Sequence, residues 1–382
     1  MVDQGSRSEW QDISLGEALD YEQPTYYLVK RDDYESSGTI PVLTAGKTFI
    51  LGFTEEHNGV FDNLPTILFD DFTTSCHYVD FNFKVKSSAC KMLKARNSSY
   101  NLKYLYYVMK HLPFEPYDHK RYWISEYSKI KVQMPGIEEQ NLIAEALNDI
   151  DELIESTKVM RTKKIRLKKG YLDSIISGDN FVSKAIKIKL EDYLDFFNGY
   201  SFQSSTYSSS GHYLIRISNV QSGQLVRNDD VCVNLDNNKL KQFELNAGDI
   251  VISLTGNVGR TAIIKPKDIP AALNQRVGKI EIKINKVKLL NKNYLYQILQ
   301  SQQFMDLVIE MGEGAAQKNV SLKDIGSIEW YIPEDSEEQL RISNFLNDLD
   351  SEIALLENAL QKYEWLKQGM MNDLLTGKVR LV

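Results

Sequence analysis

The residues of this chain best suited to chemistry are those that can read nucleic-acid bases. Five stretches in its second half set Arg, Asn, Gln, Ser or Thr beside turn formers: NGYSF (198–202), RISN (216–219), LTGNVGR (254–260), LNQRV (273–277) and AQKNVS (316–321). Arginine can bond guanine through two donors, and Asn or Gln can bond adenine through a donor and an acceptor. Backbone amides in Gly turns and Ser/Thr hydroxyls suit phosphate oxygens. The candidate contacts are Ser201, Phe202, Arg216, Ser218, Asn219, Thr255, Asn257, Arg260, Asn274, Gln275, Arg276, Gln317, Lys318 and Asn319. The first half offers Thr44 and Lys47 in TAGK (44–47), Thr73 and Thr74 in DDFTTS (70–75), and His119, Lys120, Arg121 and Tyr122 in HKRYW (119–123). For any one of these residues the plainer reading, a turn or core role, stays open.

Catalytic patterns are missing. TAGKT (44–48) resembles the tail of a phosphate-binding loop, but the glycine that the motif needs five residues before Gly46 is Pro41. GEGAAQ (312–317) lacks the third glycine and the preceding strand of a dinucleotide site. His57, His77, His111, His119 and His212 form no metal-ligand spacing with Cys or with each other. Asp268 followed by Glu281 and Lys283 superficially resembles a nuclease constellation, yet EIKIN alternates as an ordinary half-buried strand does. No Gly-rich S-adenosylmethionine loop stands with an Asn-Pro-Pro-aromatic tetrad. The pattern points to a recognition device, with no catalytic residue, metal or cofactor expected in this chain.

The elements that must position these clusters include a repeat. Sliding the sequence by 199 residues aligns 138–178 with 337–377 without a gap. Glu138, Glu139 and Gln140 match Glu337, Glu338 and Gln339; Leu147, Asn148, Asp149 and Asp151 match Leu346, Asn347, Asp348 and Asp350. Leu167, Lys168, Gly170 and Gly178 match Leu366, Lys367, Gly369 and Gly377. Ile342, Leu346, Leu349, Ile353, Leu356, Leu360 and Tyr363 step by four and three, a coiled-coil seam. The first copy keeps Ile143, Leu147, Ile150 and Ile154, then loosens into the basic stretch KVMRTKKIRLKKG. Each copy reads as one helix of about 60 Å. The two pair most simply as an antiparallel coiled coil, since a whole domain connects them. A pair of ordinary amphipathic helices in a larger core is the alternative. Between them, 10–134 and 184–332 are mixed α/β, with strand-like runs followed by the helical stretches NLKYLYYVMKHL and NKNYLYQILQSQQFMDLVIEM. The helices repeat in sequence and the globular parts do not.

Bulk properties are consistent with this. The length of 382 residues and the hydrophobic fraction of 42% suit two to three globular domains. The polar N-terminus, the lack of any long apolar run and three unpatterned cysteines lead us to expect a cytoplasmic protein without membrane or secretory segments. The net charge of −7 is unevenly spread. Up to Asp80 the cations are Arg7, Lys30, Arg31 and Lys47, whereas between Phe81 and Lys131 eleven Lys and Arg face Glu115, Asp118 and Glu126. Such segregation can make a local basic surface on an acidic protein, or be no more than a solvated face.

The paired EEQ…LND[IL]D helices ending in ISG and LTGKVRL, the LTGNVGR…LNQRV pattern, and ILFDDFTTSCHYVDFNFKVKSSACKML carry a resemblance. Along essentially its whole length the chain resembles the specificity subunit of type I restriction–modification enzymes. The resemblance implies an α+β fold of two mixed α/β target-recognition domains, 1–137 and 179–334, alternating with long helices in 138–178 and 335–382. Each domain would recognise one half of a bipartite, asymmetric double-stranded DNA site. The helices would set the spacer and dock two methylation subunits. Those subunits supply adenine methylation with S-adenosylmethionine; where the full restriction set is present, two motor–nuclease subunits add ATP- and Mg-dependent translocation and cleavage. Arg161 to Lys169 could then contact an acidic partner or the DNA backbone. A coiled-coil interaction scaffold without DNA specificity is the competing reading. The first domain lacks an obvious LTGNVGR, although TILFDDFTTS falls in about the same place.

Overall fold

The structure, a computed structural model, describes residues 10–30, 34–46, 48–176, 181–221, 223–227, 230–235, 238–312 and 319–382. The chain divides into two units, Met1–Lys158 with Asn358–Val382, and Val159–Glu357. Each unit therefore takes one α/β region and half of each long helix, a division that cuts across boundaries drawn from element order alone.

The first unit's described residues form β1 (Gln11–Ser14), β2 (Leu19–Glu22), β3 (Ile40–Leu43), β4 (Ile50–Thr54), β5 (Thr66–Asp70), β6 (Cys76–Val79), β7 (Lys84–Val85), β8 (Cys90–Ala95) and β9 (Lys131–Met134). Its helices are α1 (Leu15–Ala18), α2 (Leu102–His111), α3 (Tyr122–Ser125) and the first part of α4 (Ile137–Ile176). An antiparallel sheet in the order β2-β8-β5-β6 packs under α2, and a second sheet, β4-β3-β7, contains a parallel β3–β7 pair. The second unit adds β10 (Ala185–Lys189), β11 (Leu194–Asn198), β12 (His212–Ile215), β13 (Val220–Gln221), β14 (Gln224–Leu225) and β15 (Cys232–Val233). It continues with β16 (Glu244–Leu245), β17 (Ile250–Ser253), β18 (Thr261–Ile263), β19 (Ala271–Leu273), β20 (Val277–Ile282) and β21 (Glu329–Pro333). Its helices are α5 (Leu190–Tyr193), α6 (Asn238–Lys241), α7 (Lys292–Leu299), α8 (Gln302–Met311), α9 (Leu322–Gly326) and α10 (Ser336–Leu374), the last shared with the first unit. The stretch read as one helix after Asn291 is broken, because Ser301 accepts Phe304 N and caps a fresh start at α8.

The two α/β regions share a plan that their sequences hide. The order β11-β20-β17-β18 repeats β2-β8-β5-β6, and the parallel β12–β19 pair repeats β3–β7. Within each unit the long helices run antiparallel and seal the sheet. Ile143 and Leu147 join Met371 and Leu374 over Ile67, Phe69 and Leu93. Leu172 and Ile175 join Ile342 and Leu346 over Ile250, Ile252 and Ile280. Each such buried aliphatic side chain contributes about 1.5–3 kcal/mol of transfer free energy. Where the first copy loosens, the seam becomes ionic. In the second unit Arg161 bonds Glu357 at 2.7 Å, Lys164 bonds Glu352 at 2.5 Å and Lys168 bonds Asp350 at 2.6 Å. These three cations are therefore committed to α10, while Lys163, Arg166 and Lys169 stay exposed.

The EEQ motif is the joint between helix and domain. Gln140 is 1% exposed, accepts Asn101 N at 2.8 Å and donates to Pro135 O at 2.9 Å and Ser99 O at 3.1 Å. Gln339, 0% exposed, accepts Asn291 N at 2.8 Å and donates to Pro333 O and Leu289 O, both at 2.9 Å. Asn101 and Asn291 in turn cap α2 and α7. The preceding Glu captures an arriving strand of chain. Glu139 accepts from the Arg380 guanidinium at 2.6 and 2.7 Å and from the Trp10 indole at 3.2 Å. Glu338 accepts Val182 N at 2.6 Å and Ser183 N at 2.7 Å. Asp151 closes the joint by accepting from Tyr107 and Lys367, and Asp350 does so from Gln297 and Lys168. Gly377, matched in the repeat, has φ +69° and packs against Trp10; its counterpart Gly178 lies outside the described residues.

Two predictions follow from these joints. Gln140→Leu and Gln339→Leu each strand a buried backbone amide and carbonyls, and each is expected to cost about 2–4 kcal/mol in urea unfolding; a loss under about 0.5 kcal/mol in either would contradict the account. Burial pushes the Glu139 carboxyl up, but bonds from Arg380 and Trp10 outweigh it and hold the group below 4.5. Glu338 is likewise held low by Ser183 and Val182 against its burial. Their stabilisation is fully present above pH 4.5 and is lost as pH falls through the depressed values. Urea midpoints across this range should fall less steeply for Glu139→Gln than for the unsubstituted chain.

Candidate nucleic-acid interface

In the second unit the polar clusters, far apart in sequence, meet at one end of the β17–β20 sheet. The turn 254–260 joins β17 to β18. Its Leu254 N donates to Arg276 O at 3.1 Å, its Leu254 O accepts Val320 N at 3.0 Å, and Thr255 bridges Asn319. Tyr200 N donates to Leu273 O at 3.0 Å and Gln275 N to Tyr200 O at 2.9 Å, which lays 198–202 along 273–275. Gly199 is needed for that approach, since a Cβ there would stand 2.1 Å from Asn274 O. Arg260 reaches Gln221 at 2.6 Å, tying the turn to the chain after Arg216 and Ser218. Ser201, Ser218, Asn257, Gln275, Arg276 and Asn319 are exposed on this assembly; Arg216, Thr255, Arg260 and Asn274 are half-buried.

The first unit builds the same arrangement with other residues. The turn 71–75 joins β5 to β6, as 254–260 joins β17 to β18, so TILFDDFTTS does occupy the place of LTGNVGR. Asp71 N donates to Ala89 O at 3.0 Å and Asp71 O accepts Tyr122 N at 2.8 Å, repeating the two backbone bonds of Leu254. Phe72 stacks on His119 with 4.8 Å between ring centroids and 6° between planes. Thr73, His119 and Arg121 are exposed here, with Thr74 and Lys120 half-buried. Lys120 is engaged by Glu126 at 2.6 Å and by the Tyr117 hydroxyl, bonds that hold its ammonium above the usual lysine range. Thr44 sits beside β3, the counterpart of β12 that precedes Arg216.

Burial corrects several sequence expectations. Tyr122 is 0% exposed, and its hydroxyl accepts Tyr117 N and Asp118 N and donates to Asp118 O, so it shapes the loop from inside. Phe202 belongs to a core with Leu214 and Val233. Asn219 is 0% exposed and spends its amide on Tyr213, Val226 and Arg216 N. Thr44 is half-buried, with its hydroxyl donating to Thr48 O to close a turn. Two cations of the basic run are interior: Lys84 bonds Glu56 and Asn58 O, and Lys91 bonds Asp71. Lys47, Gln317 and Lys318 lie outside the described residues. Sequence reasoning missed Ser88, which is exposed in the turn before β8 that corresponds to Gln275 before β20. Only the register of the two sheets identifies it. Among the described residues no group of three or more His, Cys, Asp or Glu could hold a metal ion, and no helix is long and apolar enough to cross a membrane.

The model of the type I restriction modification DNA specificity domain matches residues 7–167 and again 184–364. The chain belongs to this family. One member, the Escherichia coli type I restriction enzyme EcoR124I/EcoR124II specificity subunit, is 53% identical over 136 residues, 34% of this chain and 33% of that protein. The MjaVIII specificity subunit of Methanocaldococcus jannaschii is 29% identical over 273 residues, 67% of this chain and 63% of the relative. The matched regions thus span between a third and somewhat under two thirds of these relatives' length. The crystal structure of a type I restriction–modification system S subunit from M. genitalium shares the fold, with TM-score 0.65, 17% identity and 98% of each chain covered. The two family matches coincide with the two α/β regions that carry the paired assemblies of loops.

The division between surface and core gives an expectation for substitutions. Arg121→Ala and Arg276→Ala should shift urea unfolding by no more than about 0.5 kcal/mol. Each should weaken binding of a labelled cognate duplex by about 1–3 kcal/mol in an anisotropy titration. Phe202→Ala should cost about 3–5 kcal/mol of stability instead. The reverse pattern would show that the exposed assemblies are not where DNA is met.

Proposed function

We propose that this chain is the non-catalytic DNA-specificity subunit of a type I restriction–modification complex, with each unit reading one half of a bipartite, asymmetric site. The observation that carries the reading is the same hairpin, strand-turn and short-helix assembly in both units, bearing different exposed side chains. Thr73, Ser88, His119 and Arg121 stand in one, and Asn257, Gln275, Arg276 and Asn319 in the other. A shared frame with different letters is what two unlike half-sites require, because phosphate contacts position the protein and base-edge contacts specify sequence. Methylation subunits would dock on α4 and α10. In support, the repeat keeps Leu167 and Leu366 at matched positions, each 49% exposed, and Trp365 stands 69% exposed. Exposed apolar side chains on these helices would suit a partner that covers them. S-adenosylmethionine, ATP and Mg would be brought by the partner subunits.

Co-expression with its methylation subunit, followed by mapping of methylated adenines, tests the proposal. We expect one motif with two short fixed halves and a constant gap. Replacing 10–134 with the corresponding region of another family member should change one half and leave the other. An assembled, active complex that methylates without a bipartite motif would leave the coiled-coil scaffold as the better reading.

A further inference from the structure

The two units hold their equivalent hairpin turns by opposite physical means. In the first unit Asp71 and Lys91 form an ion pair at 3.0 Å, each side chain 2% exposed. Asp71 uses every polar atom it has. Its amide donates to Ala89 O, its carbonyl accepts Tyr122 N, one carboxylate oxygen accepts Trp123 N at 2.6 Å and the other takes Lys91. Four pieces of chain are knotted at one residue: the turn 71–75, the turn before β8, β8 itself and the start of α3. The Lys91 ammonium also lies 4.8 Å from the centre of the Tyr21 ring.

Sheet register finds the same place in the second unit. Phe69 pairs with Lys91 on β8, and Ile252 pairs with Gly278 on β20. Asp71 and Leu254 each lie two residues further on, with the same two backbone bonds. So Leu254, 6% exposed, stands where Asp71 does, and Gly278 stands where Lys91 does. A Cβ on Gly278 would lie 2.6 Å from Leu322 Cδ2, so the α9 leucine fills the space given to the lysine stem in the first unit. One hairpin is fastened by a desolvated ion pair and the other by leucines.

We propose that Asp71 and Lys91 are positioning residues for base discrimination by the first unit, fixing the 71–75 turn and its neighbours His119 and Arg121 relative to Ser88. This rests on the reading that the unit recognises one half-site. A buried ion pair adds little net stability over apolar packing, but it enforces one geometry because either partner alone is a stranded charge. Reading a base edge needs that fixed geometry, and neither side chain is exposed enough to touch DNA itself.

The test uses the full chain assembled with its methylation subunits and a panel of duplexes, each altered at one position of either half-site. The Lys91→Met complex should methylate the cognate duplex about tenfold more slowly, the scale of one base-reading contact. It should also lose discrimination among duplexes altered in the first unit's half, with the ranking in the other half unchanged. Lys91→Arg should restore that discrimination. The double variant Asp71→Asn/Lys91→Met removes both charges and leaves neither stranded, so it answers the question if Lys91→Met fails to assemble; it too should lose discrimination in that half alone. Unchanged discrimination in a folded variant overturns the proposal, as does a uniform loss across both halves that follows thermal stability. If the unsubstituted complex ranks no duplex by either half-site, the DNA-reading assignment itself falls, and the positioning role with it.

Discussion

Burying a glutamine costs free energy unless its amide finds partners, and the way that cost is met at two positions governs how this chain is built. Gln140 and Gln339 are shut away at the starts of the two long helices, each holding one backbone N–H and two carbonyls. Those groups belong to the turn that caps α2 or α7 and to the proline before the helix. Satisfying one side chain therefore fixes the helix, its entry and the domain's own helix together. Leaving any of these groups unpaired would cost about 1–3 kcal/mol each. The neighbouring Glu139 and Glu338 add the incoming chain to the same joint.

The long helices were legible because period and repetition are properties of a linear string. Seven hydrophobic residues stepping by four and three, a gapless match over 138–178, and prolines just outside each copy are all visible without coordinates. The function of the basic stretch was not. Arg161, Lys164 and Lys168 look like a solvated run until α10 is laid beside them and they face Glu357, Glu352 and Asp350. The polar clusters could be picked out as groups, but their residues could not be sorted into surface and core. Asn219 and Gln275 have the same chemistry on paper. One is sealed by Tyr213 and Val226, and the other is exposed. Burial depends on which distant segments arrive, and Tyr213 or Val320 cannot be placed from local pattern. Lys91 shows the same limit. In CKML every residue is interior, and only the partner Asp71 explains a lysine there.

The equivalence of the two α/β regions was hidden for a related reason. Sheet order, the parallel pair and the hairpin before the fourth strand recur, while the residues that fill them do not. A strand needs only apolar alternation or an apolar run to keep its place, and many sequences supply that. The turns after β5 and β17 share backbone bonds and not side chains: Asp71 and Leu254 make the same two bonds with unlike buried side chains.

That tolerance separates what supports the site from what the site presents. At the turn before β8 in one unit and before β20 in the other, one presents Ser88 and the other Gln275 with Arg276, on matched backbone. Changing those exposed side chains alters no buried contact, so under the proposed function a half-site preference could be rewritten without rebuilding the fold. Changing Gln140, Glu139 or their counterparts would disturb the joint on which the whole unit hangs. The two classes of position thus sit on opposite ends of each sheet's strands and answer to different physics: hydrogen-bond satisfaction in a dry interior for one, and complementarity to a hydrated partner for the other.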